Sequence, residues 1–519
     1  GLAHGGVARK DAGQVPLTNY WLLSDVDHSA RLDFDAVSKL EQLFAAEMPG
    51  RWIALNSDPA CNNLIIATDV LGAMWLYYAA TPTGFAWSTD FGSLARSLPR
   101  LTVNKQTLGV ELALGYTPDG RTLFDEIQLC PPGAILEFSV SGVTVRSAGA
   151  QRYGDRLAGQ SRQRKYDELD HHFSRITGEM LAPVADRLVL SLSAGYDSRF
   201  VLAYLQRAGL RTPLCTFGHP DSDEVHGARN VAAQVNMDTS VFAVPEADWA
   251  QWRRCIQALG NTGMTQWSGW AESWIAFLAR RGQHVAIGYL GDALSGKHLG
   301  AGSPDKDWLR FWIEWSTDGG WLGHACLRPS MRGEIRAVVE KRLAGCLAGQ
   351  SFAFPHQQAL HLDLIGRQRR WVASQPTLLA RRTAPVLFFY DPQLMSFWCN
   401  LAEADQIDQR LYLGFARERF PHLFEQPSSA HKTFLNRVTR RLLGTGVPKR
   451  PSVVNHENII GPNVELIVDL AAKVKPLVDD VIDVDALCVA ARSDREARRM
   501  PSDLIMQAVN CFHLLEMAV

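Results

Sequence analysis

Apolar positions in the first third of the chain fall in short runs. "RWIALNSD", "NNLIIATD", "WLYYAAT" and "GAILEFSVSGVTVRS" are rich in β-branched and aromatic residues and are bounded by turn formers, which predicts strands. Residues 14 to about 150 therefore read as β-rich. The stretch "AGQSRQRKYDELDHHFSRI" then turns polar and helical in period, which places a boundary near residue 155. From residue 185 two periods alternate. "DRLVLSLS" reads as a strand, and "SRFVLAYLQRAGL" as a helix stopped by Gly209. "TPLCTFGH" is a strand, "DEVHGARNVAAQVNM" a helix, and "DTSVFAV" a further strand. "QHVAIGYLGD" is a strand running into a turn. Strand–helix alternation predicts a parallel sheet covered by helices. Residues 305–519 are mostly helical in period, with loops near 350, 425 and 446–463. The expected fold is α/β: a β-rich domain over 1–155, then a parallel-sheet domain with a helical C-terminal extension over 156–519.

Composition excludes more than it selects. Lys plus Arg number 53 and Asp plus Glu 54, so no large nucleic-acid or anionic-membrane surface is expected. The chain shows no apolar run of the ~18 residues that a membrane span needs. Nine cysteines without a C-x-x-C pair read as free buried thiols in a reducing compartment, and a cytoplasmic location is expected. Of the 15 tryptophans, several lie between 252 and 321, where they either line a cleft or fill a core.

The candidate chemistry starts at "LSLSAGYDSRF", residues 190–200. A buried strand would carry Ser193 to the carboxyl edge of a parallel sheet, where ligands bind. The helix expected to begin near Ser198 would offer unpaired N–H groups and the positive end of its dipole. Small residues and hydroxyls at Ser193, Ala194, Gly195 and Ser198 suit an anion, most naturally phosphate. Asp197 repels phosphate unless a divalent cation lies between them. A Ser/Gly-rich turn before an ordinary helix is the competing reading.

The loop Ser193-Ala194-Gly195-Tyr196-Asp197-Ser198 resembles the S-G-G-x-D-S pyrophosphate loop of enzymes that cleave ATP between its α and β phosphates, with Ala194 in place of the second residue's glycine. Further stretches resemble the asparagine synthetase family. "DVLGAMWLYYAATPTGFAWSTDFGSL" (69–94) is similar to the D-x-x-G-x-x-x-L-Y-Y segment of its amidotransferase domain, and "TLFDEIQLCPPGAILEF" (122–138) to that domain's closing stretch. "TFGHPDSDEVHGARNVAAQV", "GYLGDALSGKHLG" (288–300) and "TAPVLFFYDPQL" (383–394) resemble successive parts of the synthetase domain, in the family's order. Of the family's G-D-G-A-D-E set, Gly288 and Asp292 remain, while Tyr289 and Ala293 replace the first Asp and the Glu.

The resemblance implies an ATP-binding domain in which residues 193–198, Gly288 and Gly291 hold ATP and its pyrophosphate, and Asp197 and Asp292 hold Mg²⁺. It implies an AMP-forming ligase that adenylylates a carboxylate and couples it to an amine. The family's lysine lies in a late loop, so Lys449 is the candidate and Lys432 the second. Glutamine-using members begin with a cysteine. This sequence begins with Gly1, has its first cysteine at Cys61, and lacks the R-G-P-D and N-G-E-I-Y-N-like stretches, so a degenerate amidotransferase-like domain is expected. Lactam-forming relatives of this kind include β-lactam synthetases and lasso-peptide cyclases. A cyclase would take a precursor peptide and work beside its processing protease. Asparagine synthesis from ammonia or glutamine, and a nucleotide-binding scaffold without turnover, stay open. Glu272 is a weak candidate for deprotonating the amine. "RQRRWV" (367–372) is expected to be a solvated helix face with Trp371 inward, more than a carboxylate or phosphate clamp.

Overall fold

The computed structural model describes residues 20–25, 43–44, 47–58, 63–81, 84–139, 142–149, 151–263, 267, 269–300, 306–317, 325–425, 454, 457–493 and 500–519. The N-terminal part carries an antiparallel sheet of β1 (Tyr20–Ser24), β2 (Trp52–Asp58), β3 (Asn63–Thr68), β7 (Ala134–Ser139) and β8 (Gly142–Ser147), hydrogen-bonded in that order. A smaller sheet joins β4 (Tyr77–Thr81) to β5 (Gly84–Ser88) and β6 (Gln128–Leu129). The four strand-rich runs expected from the sequence are all strands. Two helices, Phe91–Ser97 and Lys105–Leu114, also lie in this region. Their N-caps are Asp90 and Asn104, whose side chains accept from Ser93 N and Thr107 N at 2.7 and 2.8 Å.

The second sheet is parallel throughout. Its order is β11 (Thr239–Phe242), β10 (Leu214–Phe217), β9 (Leu188–Ser191), β12 (His284–Ile287), β13 (Ala384–Leu387). The central strands are short and apolar, as a sheet covered on both faces requires. From β9 the chain moves outward to β10 and β11, then returns to place β12 on the other side of β9. The direction of strand addition therefore reverses between β9 and β12. The crevice beyond the carboxyl ends of these two strands is the switch point where open α/β sheets bind ligands. Behind it lies an aromatic cluster in which Phe173 stacks on Phe388 at 5.3 Å and Phe200 on Tyr412 at 4.3 Å.

The two halves are tied by buried polar contacts. Arg51 pairs with Asp25 at 2.7 Å and donates to Thr377 Oγ1 at 2.9 Å and Pro376 O at 3.1 Å. Asp69 accepts from Trp52 N at 3.2 Å and from the Tyr390 hydroxyl. The expectation of a solvated face at 367–372 is overturned. Arg369 and Arg370 are buried in a wide helical segment, Asp363–Val372. Arg369 donates to Gly72 O at 3.1 Å and to Cys130 O, and Arg370 lies over the Trp75 ring at 5.1 Å. The 252–274 tryptophans that the structure describes, Trp252, Trp267, Trp270 and Trp274, fill the core. No helix among the described residues is long and apolar enough to cross a membrane.

Candidate nucleotide site

β9 ends at Ser191 and delivers Leu192–Gly195 to the switch point. The helix Tyr196–Arg207 begins directly afterwards, two residues before the expected start, with Gly195 as an N-cap that offers no side chain. The loop is closed on itself. Ser193 N donates to Ser198 Oγ at 3.0 Å, the two hydroxyls lie 2.9 Å apart, and Gly195 N donates to Ser193 Oγ at 3.1 Å. Ala194 N donates to Glu224 Oε1 at 2.6 Å, and Ala194 O accepts from buried Arg199 at 2.8 Å. Ala194 does not have a positive φ, so alanine is unstrained there. Its methyl group faces Gly227, where a Cβ would overlap the Ala194 Cβ.

The turn after β12 approaches the same helix end. Asp292 N donates to Asp197 Oδ2 at 2.9 Å. This closeness needs glycine twice. A Cβ at Gly288 would stand 2.6 Å from Asp197 Cβ, and one at Gly291 would stand 2.5 Å from Asp197 Cγ. Between them Leu290 is held at φ +76°, a strained conformation for a branched residue, of the kind that clusters at functional sites. Tyr289 is buried beneath the turn and donates to Gln368 O at 2.9 Å.

Tyr412 donates to Asp197 Oδ1 at 2.7 Å. Lys297 Nζ lies 3.2 Å from Asp292 Oδ2, and His298 Nε2 lies 3.7 Å from the same oxygen. His298 Nδ1 pairs with buried Asp363 at 2.7 Å. Burial, and after it the charge of Asp292, pushes the Asp197 carboxyl up to about 7. Burial also opposes ionisation of Asp292, but His298, Lys297 and Arg367 outweigh it and hold that carboxyl below the ordinary range. The site thus pairs a carboxyl that resists ionisation with one that keeps its charge.

This donor set fits Mg²⁺ that arrives with phosphates. Such a metal takes one or two carboxylates and completes its shell from phosphate oxygens and water. Asp197 and Asp292 would be the two carboxylates. No group of three or more His, Cys, Asp or Glu placed to hold a metal occurs among the described residues, so a cage made by the protein alone is not what these residues offer.

Residues 193–198, Gly288, Gly291 and Asp292 meet at one crevice. Lys432 and Lys449 lie outside the described residues, as does most of the loop 446–463. Of that stretch, Glu457–Ile460 is helical. Glu272 is paired with Arg254 at 3.0 Å. Sequence reasoning missed Glu224, Lys297, His298, Asp363 and Tyr412. The first three stand inside stretches already matched to the family, at positions to which no role was given. Asp363 and Tyr412 lie in helical sequence with no local signal.

Fold and crevice together define an α/β domain with a small-residue loop at the switch point of a parallel sheet. Residues 184–427 match the family model for asparagine synthase, and this span holds every residue described above at the crevice. The match supports an asparagine synthetase-like family and, in general terms, an ATP-dependent carbon–nitrogen ligase. Comparison with curated proteins gives no match.

Proposed function

We propose that the protein is an ATP-dependent, AMP-forming amide ligase that closes a lactam within one substrate, most naturally a macrolactam in a peptide. The observation that carries the ATP half is the junction of Asp197 and Asp292 at the end of the Ser193–Ser198 loop. A substrate carboxylate oxygen attacks the α phosphorus, the bond to the bridging oxygen breaks, and pyrophosphate leaves. The substrate amine then attacks the acyl carbon, AMP leaves with the acyl C–O electron pair, and the amine loses a proton. The net change in the substrate is the loss of one water. N–H groups at the start of the helix Tyr196–Arg207 face the departing pyrophosphate, and Asp197 and Asp292 would hold Mg²⁺, which neutralises phosphate charge when bound.

Among the described residues no thiol has the character of a glutaminase nucleophile, in keeping with an amine that belongs to the substrate. A glutaminase nucleophile must be an accessible, activated thiol. Burial pushes Cys130, Cys255, Cys326 and Cys346 up to about 12 and Cys215 up to about 11. A precursor peptide carrying both carboxylate and amine, produced beside a processing protease, fits this chemistry.

Pyrophosphate release from Mg-ATP tests the reading. The protein is challenged with a candidate precursor peptide, with small β-amino acids, and with aspartate plus ammonia. Release with a peptide that loses 18 Da, one water, supports the macrolactam. Release with aspartate and ammonia would replace it with asparagine synthesis. ATP binding without release under any substrate would favour a scaffold, the reading that Tyr289 and Ala293 keep open.

A further inference from the structure

We infer that Lys297 is a catalytic residue of this site, and that its ammonium contacts the pyrophosphate portion of the bound nucleotide. The inference rests on the ATP-binding reading above. Lys297 immediately follows Gly296, which has a φ of +91°, and its backbone N–H donates to Asp292 O at 3.0 Å. The chain is thereby anchored to the same turn that brings Asp292 against Asp197. The Lys297 side chain is 49% exposed, and its Nζ rests on Asp292 Oδ2 at 3.2 Å.

A half-exposed pair of this kind contributes little to folding, so stability does not account for a lysine here. Electrostatics does. Two carboxylates at the mouth of an anion loop repel a polyphosphate, and a compact ammonium beside them offsets that repulsion. Four methylene carbons let Nζ turn from Asp292 to a phosphate oxygen at the helix end without moving the backbone. The other lysine described in this stretch is committed elsewhere: Lys306 donates to Leu299 O at 3.1 Å and lies 3.5 Å from the centre of the Phe311 ring. Arg367 adds positive charge near Asp292, but its guanidinium sits over Trp371 and Trp315 at 4.7 and 5.5 Å. Lys297 is therefore the described cation that is both at the crevice and open to solvent.

The test is equilibrium binding of ATP and of inorganic pyrophosphate, at fixed free Mg²⁺, to the full chain and to Lys297→Met, Lys297→Gln, Lys297→Arg and Lys306→Met. Thermal unfolding of each variant confirms that it is folded. Both ligands are expected to bind at least tenfold more weakly to Lys297→Met and Lys297→Gln. Lys297→Arg should return to within threefold of the parent, and Lys306→Met should match it. Parent-like binding by both neutral variants would overturn the role of Lys297 and leave the ATP reading standing. Equal losses in Lys297→Met and Lys306→Met would overturn it as well. A parent protein that binds neither ligand would overturn the ATP reading and this inference together.

Discussion

Tyr412 reaches Asp197 from 215 residues further along the chain and donates its hydroxyl proton to Oδ1 at 2.7 Å. Asp292 N fills the other oxygen. The carboxylate is thus held from two sides, by a side chain and by a backbone, while its remaining lone pairs stay available. Tyr412→Phe keeps the stack on Phe200 and removes one hydrogen bond to a carboxylate, an interaction of about 1.5–3 kcal/mol. Pyrophosphate release should fall roughly 10- to 100-fold, with the unfolding free energy lowered by no more than that one bond. Unchanged turnover would show that Asp197 is held well enough by Asp292 alone.

Asp197→Asn and Asp292→Asn separate function from folding. Burial and mutual repulsion oppose the charge on Asp197, so the amide should leave stability equal or raise it. Removing either carboxylate takes away half of the donor set for Mg²⁺. We expect loss of Mg²⁺-dependent ATP binding and of pyrophosphate release in both, with cooperative unfolding at or above the parent midpoint for Asp197→Asn and below it for Asp292→Asn, which gives up the attraction of Lys297 and His298. Normal turnover in either variant would rule out that residue as a metal ligand.

Ala194 and Gly227 should behave as a pair. Gly227→Ala places its Cβ against the Ala194 methyl, so the loop or the helix Asp223–Ala233 must shift. We expect destabilisation of about 1–3 kcal/mol from overpacking and weakened ATP binding. Adding Ala194→Gly removes the clash, because the new Cβ then meets Ala194 Cα at 3.5 Å, ordinary contact. The double variant should recover most of the loss, which a double-mutant cycle in urea would measure. Simple additivity would mean that the contact is not what limits position 227.

What the sequence made legible follows from how local each signal is. The Ser193–Ser198 loop was readable because an apolar strand, small polar residues and a helix follow one another within a dozen positions. The glycines at 288 and 291 were readable through the motif around them, although their reason, room for the Asp197 side chain, is a tertiary fact. Tyr412 was not readable, because nothing in "RLYLGFARERF" distinguishes an aromatic that packs from one that also donates. Arg369 and Arg370 misled for a physical reason. Three arginines in six residues look solvated, and only distant partners make burial tolerable: the carbonyls of Gly72 and Cys130, almost 300 and 240 positions away, for Arg369, and the Tyr77 hydroxyl and Trp75 ring for Arg370. Helices 91–97 and 105–114 were absorbed into a region whose strands gave the stronger pattern.

Stability should decline on the acid side through buried histidines. Gln406 Nε2 donates to Leu294 O and Trp398 O at 2.9 and 3.0 Å, so its Oε1 must accept from His356 Nε2 at 2.8 Å. That fixes the neutral tautomer and leaves His356 Nδ1 without a partner among the described residues. Burial lowers His356 to about 4 and, in the same way, His361 to about 4. The unfolded chain therefore binds more protons between pH ~6.5 and ~4. The stabilisation is fully present above 6.5 and is lost as pH falls towards 4, by up to about 3 kcal/mol for each histidine. Unfolding midpoints measured from pH 7.5 to 4.5 should fall, and His356→Gln should flatten the decline. An identical pH profile in the variant would place the acid sensitivity elsewhere.

Arg369 joins the parallel-sheet half to the β-rich half, and its removal should be costly without touching the crevice. Its guanidinium is buried, burial pulls its pKa down to about 10, and its donors meet the backbone carbonyls of Gly72 and Cys130. Trp75 Nε1 donates to Arg369 O at 2.8 Å, so the same residue fastens the second partner chain segment through its backbone. Arg369→Met fills much of the volume but strands two carbonyls, each at about 1–3 kcal/mol. Arg369→Lys keeps a charge yet cannot reach both carbonyls with a fork. We expect urea unfolding to show losses of about 2–5 kcal/mol for Met and a smaller loss for Lys. ATP affinity at protein concentrations and temperatures where the variant is folded should stay within twofold of the parent. A variant as stable as the parent would mean that the two carbonyls find other donors. A folded variant with strongly reduced ATP affinity would mean instead that this interface sets the geometry of the site.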